Sequence, residues 1–165
     1  MPFPTHPHSV EQHYLVHPLC GTGPVVLGSD PMNTKTNETI TVEIAPGELI
    51  DKITILDIKL ARIADAAKLA NVRAEWETLT RARDAALPAS PALAQATADL
   101  RRANETLWDV EDEIRDCERA KNFGPRFVEL ARAVYVTNDE RARIKRRIND
   151  LLGSRLVEEK SYAAY

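Results

Sequence analysis

The sequence predicts a mainly α protein: an antiparallel helical bundle of three to four helices, with one short N-terminal strand and an extended C-terminal tail. Three observations lead there. Apolar residues recur at alternating four- and three-residue spacing over long stretches, as on one face of a packed helix. Pro and Gly punctuate those stretches at Pro88, at Gly124 and Pro125, and at Gly153, where helices would stop or start. Finally, 165 residues with 44% hydrophobic and 28% charged content suffice for one ordinary domain with a buried core.

The chain divides near residue 39. Residues 1–38 mix Pro, Gly, Thr and Asn without a sustained period, and read as a flexible or poorly ordered extension that the fold does not need. All four histidines, His6, His8, His13 and His17, lie in it. His13, His17 and Cys20 are spaced as metal ligands on a helix would be, but the surrounding Pro and Gly oppose a preformed site, so no metal is expected. Met32 offers a second candidate start, which would leave the histidines outside the product. The helical domain is expected over 39–165. It opens with Thr39 to Ile44, where Ile40, Val42 and Ile44 alternate as in a half-buried strand that Pro46 and Gly47 end.

From Glu48 a first helix carries the seam Leu49, Ile53, Leu56, Leu60 and Ile63. The seam loses phase near Ala70 and Asn71 and resumes at Val72, Trp76, Leu79 and Ala86, predicting a kink there and a second stretch ending before Pro88. Ser90 and Pro91 suit the N-cap and first turn of a third helix. Its register is the clearest of all, through Leu93, Ala96, Leu100, Ala103, Leu107, Val110, Ile114 and Cys117, which makes Cys117 a small packing residue. Phe123, Gly124 and Pro125 break the chain before a last helix from about Arg126 to Leu152, stopped by Gly153. The tail keeps Leu156, Val157 and Tyr162, so part of it should dock in extended form, with Tyr162 packed.

Polar groups set into these apolar arcs are the candidates for function. At about 100° per residue counted from Leu49, Asp57 falls near 80°, between Ile53 and Ile50. On the third helix Asn104 and Glu111 fall in the gap between Leu107 and Trp108, and on the last helix Arg141 lies mid-arc with Asn138 and Lys145 beside it. Burying such groups unpaired is unfavourable, so they should meet. Two arrangements satisfy that. In one, Arg141 pairs with Asp57 or Glu111 and fixes helix register. In the other, Asp57, Asn104, Trp108, Glu111, Asn138, Arg141 and Lys145 line a pocket: Arg141 and Lys145 hold an anionic small molecule while a carboxylate handles a proton or hydroxyl. No cofactor motif occurs, and the Glu-x-x-His pairs of di-iron bundles are missing.

A net charge of -3 provides no basic field for nucleic acid or anionic lipid. The basic run RARIKRRIN, Arg141 to Asn149, spreads around its helix among acidic neighbours and reads as a solvated face. No run reaches the roughly 20 apolar residues of a membrane span, and the start lacks a signal peptide's pattern. With Cys20 and Cys117 far apart, a reducing cytoplasm is the expected compartment. Ile55 and Ile58 point away from the first helix's main seam, a second apolar face that suits a central helix, a homodimer contact or a partner protein.

Two resemblances follow. IAPGELIDKITILDIKLARI, LWDVEDEIR, FVELARAVYVTNDERARIKRRIN and GSRLVEEKSYAAY together resemble a bacterial family of small uncharacterised helical proteins, catalogued as a domain of unknown function, from about residue 39 onward. That resemblance implies no assigned activity, only an association of some members with glycosyltransferase or surface-polysaccharide proteins. DKITILDIKL, Asp51 to Leu60, resembles the opening helix of all-helical chorismate mutases, which bind a dicarboxylate with arginines inside an intertwined dimer. The positions for that family's first-helix arginines are here Ile50 and Ala67, so only the shape analogy carries over. The expected function is a helical interaction or scaffold module accessory to such proteins; the alternative is a small helical enzyme or anion binder.

Overall fold

The computed structural model describes residues 40–161. The extension 1–38 with its histidines, Cys20 and Met32 lies outside these residues, as do Thr39 and Tyr162. The described residues hold four helices: α1 (Pro46–Arg62), α2 (Ala66–Ala86), α3 (Pro91–Arg119) and α4 (Pro125–Leu151). No strand occurs among them. Residues 40–44, the described part of the expected strand, carry no regular structure, and Ile40 and Val42 are exposed. Alternation alone did not make a strand, and among the described residues no second strand is there to take up its hydrogen bonds.

α1 is the hub. It packs against α2, α3 and α4, whereas α2 packs against no other helix than α1, and the broadest contact joins α3 to α4. Glu48 and Asp51 meet Lys145 and Arg141 in turn, so α1 runs antiparallel to α4. Asn104 reaches Asp51 while Arg62 reaches Asp109, so α1 runs parallel to α3. The core between these three helices is Ile50, Leu93, Ala96, Leu100, Ala103, Ile144 and Ile148, with Leu87 and Leu152 closing one end. Leu49, Ile53 and Leu56 are equally buried but lie about 60–120° round α1 from Ile50, on the side that α2 covers. The two apolar faces of α1 therefore serve a central helix.

The break between α1 and α2 falls at 63–65 and not near Ala70 and Asn71, where α2 is continuous. Its cause is Asp65, whose carboxylate accepts from Lys68 N–H at 2.9 Å and caps α2. Ser90 caps α3 as expected, accepting from Leu93 N–H at 3.1 Å, and Gly153 ends α4 with a φ of 63°. Pro46 and Gly47, expected to end a strand, instead begin α1. Ala45 provides no side-chain cap there. The acceptor comes from α4: Gly47 N–H donates to Asn149 Oδ1 at 2.7 Å. A Cβ on Gly47 would sit 2.6 Å from the Lys145 carbonyl oxygen, so only glycine lets the helices approach this closely.

The tail after α4 is held by charge. Arg155 embraces Glu43 with two hydrogen bonds, and Lys145 donates to Glu158 at 2.7 Å. Leu156 is half-buried and Val157 largely exposed, so apolar docking contributes less than the sequence suggests.

Candidate functional site

The buried polar groups gather where α1, α3 and α4 converge. At the centre is Asp51, 4% exposed on the α4-facing side of α1. Arg141 grips it with two hydrogen bonds, Nε to Oδ1 at 2.8 Å and Nη2 to Oδ2 at 2.5 Å. Such a planar fork on a carboxylate is strong and directional. From α3, Asn104 Nδ2 donates to the same Oδ1 at 2.9 Å and to Thr54 Oγ1 at 3.0 Å. Thr54 in turn donates to the Asp51 carbonyl at 2.9 Å, and Arg141 Nη1 donates to Asn138 Oδ1 at 3.3 Å. Hydrogen bonding to Asp51 raises the pKa of Arg141 above its ordinary value, against the opposing effect of burial.

A second cluster lies a turn along α4. Lys145 Nζ reaches Glu48 Oε1 at 2.5 Å and Glu158 Oε2 at 2.7 Å, joining α4, the first turn of α1 and the tail. Burial works against the ammonium, but hydrogen bonds to Glu158 and Glu48 outweigh it and the Lys145 pKa rises. The Lys145 hydrogen bond holds the Glu158 carboxyl below its ordinary range.

The expected partnership of Arg141 with Asp57 or Glu111 is corrected by this geometry. Asp57 turns toward α2 and accepts from Trp76 Nε1 at 2.6 Å, while Glu111 is exposed and pairs with Arg115 at 3.0 Å. A wheel centred on one seam misplaced the interior because α1 has two: Asp51 sits about 160° from Ile53, on the face that meets α3 and α4. Asp51, Thr54, Glu48 and Glu158 were thus missed. The available signal was the second apolar face at Ile58, with which Asp51 shares a side.

Four of the expected residues do converge. Asn104, Trp108, Glu111 and Arg141 line a cleft of about 380 Å³ together with Ile55, Ile58, Leu107, Asp112 and Arg115. Arg62 lies over the Trp108 ring at 5.8 Å and pairs with Asp109. Asp57, Asn138 and Lys145 lie outside this cleft. Among the described residues no group of three His, Cys, Asp or Glu side chains could hold a metal ion, and no helix is long and apolar enough to cross a membrane.

Comparison with known proteins places residues 40–165 in a family described as a family of unknown function, DUF6165, and the chain belongs to that family. No curated protein and no solved structure matches the chain.

Proposed function

We propose that this member of the DUF6165 family is a helical interaction module that pairs with a second copy of itself through the outer face of α4. One contrast carries the reading. Interior polar groups satisfy one another so fully that only Thr80 Oγ1 is buried without a partner among the described residues, yet large apolar side chains stay on the surface. Val128 and Val136 are 53% and 43% exposed, and they fall within about 80° of each other on α4, away from the core residues Leu130, Ile144 and Ile148. Glu129, Arg132, Glu140 and Arg143 bring both signs of charge to the same side. A surface of mixed sign meets its own copy about a two-fold axis without like-charge conflict. The free Cys117 fits a reducing compartment, so we place this module in the cytoplasm.

Sedimentation velocity over a concentration series tests the reading. A dimer that Val136→Glu converts to monomer is the expected result. A monomeric mass for the unsubstituted chain at every concentration up to about 1 mM would overturn it.

The alternative, an anion binder or small enzyme built on Arg141 and Lys145, finds less support. Asp51 already neutralises Arg141, and Glu48 and Glu158 more than neutralise Lys145.

A further inference from the structure

We propose that the cleft between α1 and α3 is a binding site for a small, flat, uncharged ligand that presents a hydrogen-bond acceptor beside a donor, as an aryl carboxamide does. Asn104 and Arg141 form the cleft's polar floor. Asn104 is 5% exposed and its amide can be oriented only one way, because both groups facing Nδ2 are acceptors. Asp51 is a carboxylate, and the Thr54 hydroxyl proton is committed to the Asp51 carbonyl. The amide oxygen of Asn104 must therefore point the other way, and it accepts no hydrogen bond from any described residue. Among the described residues Thr80 Oγ1 is the one buried side-chain polar atom without a partner, so Asn104 Oδ1 is open to solvent at the cleft it lines, where a ligand N–H can take the place of water.

Arg141 stands next to it, since Asn104 Nδ2 and Arg141 Nε share the same Asp51 oxygen. The guanidinium has five N–H groups, of which Asp51 takes two and Asn138 one, leaving two donors on a side chain that lines the cleft. The floor thus offers an acceptor from Asn104 and donors from Arg141, both side chains held in place by hydrogen bonds to residues of α1 and α4. An amide complements that pair: its carbonyl accepts from Arg141 while its N–H donates to Asn104 Oδ1.

Charge selects against the corresponding acid. The Arg141 charge is matched by Asp51, and at the rim Glu111 and Asp112 face a lone Arg115, so the lining carries no excess positive charge. A carboxylate would also set an oxygen against Asn104 Oδ1 with no proton between them. Ile55, Ile58, Leu107 and the Trp108 ring supply apolar walls. A volume of about 380 Å³ suits a molecule of one or two rings.

The two tryptophans make the test direct. In a Trp76→Phe background Trp108 is the sole indole, so its fluorescence reports the cleft. Titration with matched pairs, benzamide against benzoate and nicotinamide against nicotinate, should give saturable changes for the amides. Each acid should bind at least about tenfold more weakly than its amide. Asn104→Leu should erase the preference, but it also disturbs Asp51; Ile55→Trp, which fills the cleft from a half-buried position, should abolish amide binding, read by isothermal titration calorimetry because the new indole masks Trp108, with the thermal transition retained in scanning calorimetry. The site is refuted if neither amide binds saturably up to its solubility limit. It is equally refuted if the acids match the amides, or if binding survives Ile55→Trp. None of these outcomes depends on whether the chain dimerises through α4.

Discussion

α1 holds α4 and α2 by different means. Toward α4 it presents a buried carboxylate, Asp51, gripped by Arg141 and shared with Asn104, together with the Gly47–Asn149 contact. Toward α2 it presents the apolar seam of Leu49, Ile53 and Leu56, with one indole hydrogen bond from Trp76 to Asp57 at its margin. α2 has no buried residue of its own, while α3 and α4 have several. A seam of leucine and isoleucine tolerates sliding, because one methyl group can replace another at small loss. A bidentate ion pair does not, since a shift of one residue would strand both charges. The difference teaches that polar groups fix the register of α1 against α3 and α4, and that α2 is an added layer whose position is less strictly specified.

The largest effect should come from breaking the polar side of this contrast. Asp51→Ala leaves Arg141 and Asn104 without their acceptor and should destabilise by about 3–5 kcal/mol in urea unfolding. Replacing Asp51 with Leu and Arg141 with Met together should recover much of that loss, since no charge then lacks a partner. Small additive effects of the two changes would show that the pair does not govern the register.

A smaller effect should follow on the other side. Trp76→Phe removes the bond to Asp57 and keeps most of the apolar contact, for a loss of about 1 kcal/mol. Amide exchange should then quicken in α2 with α3 and α4 unchanged, as expected of a layer that opens by itself. Equal acceleration in all four helices would mean that α2 is part of one cooperative unit.

The smallest effect belongs to the tail and depends on pH. The Glu158 carboxyl is held below its ordinary value of 4.5 by the Lys145 hydrogen bond. Its contribution is therefore complete above that value and is lost as the pH falls through the depressed one. Lys145 is raised above its ordinary 10.5, so its share is complete below that value and fades as the pH rises through the higher one. Acidification should free residues 154–161 while the helices persist, seen as sharpening of tail amide resonances; a tail that stays ordered when Glu158 is protonated would contradict this.

How much of this was legible in the sequence differs by element. α3 could be read almost residue by residue, because Leu93, Ala96, Leu100, Ala103, Leu107 and Val110 face one core and Ser90 caps the start. α1 misled, because a helix covered on two sides shows two overlapping stripes and the stronger one belongs to α2, a helix that packs on α1 alone. Asp57 looked interior on that stripe, whereas Asp51, on the opposite side, is the residue fully enclosed. The α1–α2 break was misplaced because loss of phase was weighed above the cap at Asp65. Of the candidate site, Asn104, Trp108, Glu111 and Arg141 were found by their positions on helical arcs. Lys145 with Glu48 and Glu158 could not be paired in advance, because such contacts join distant parts of the chain and leave no local period.

The Gly47–Asn149 hydrogen bond spans 102 residues, from the first turn of the first helix to the final turn of the last. During synthesis the N-terminal end of α1 is made early, yet its cap does not exist until Asn149 has been added. α3 and α4, joined by a short connection, can pair without waiting for such a long loop to close. The helix at the hub is thus made before α3 and α4 and seated against α4 last, leaving the face it turns to them uncovered in the interval. Pulse-labelled refolding should show protection in α3 and α4 before α1; the reverse order would mean that α1 and α2 form a stable hairpin before the rest arrives.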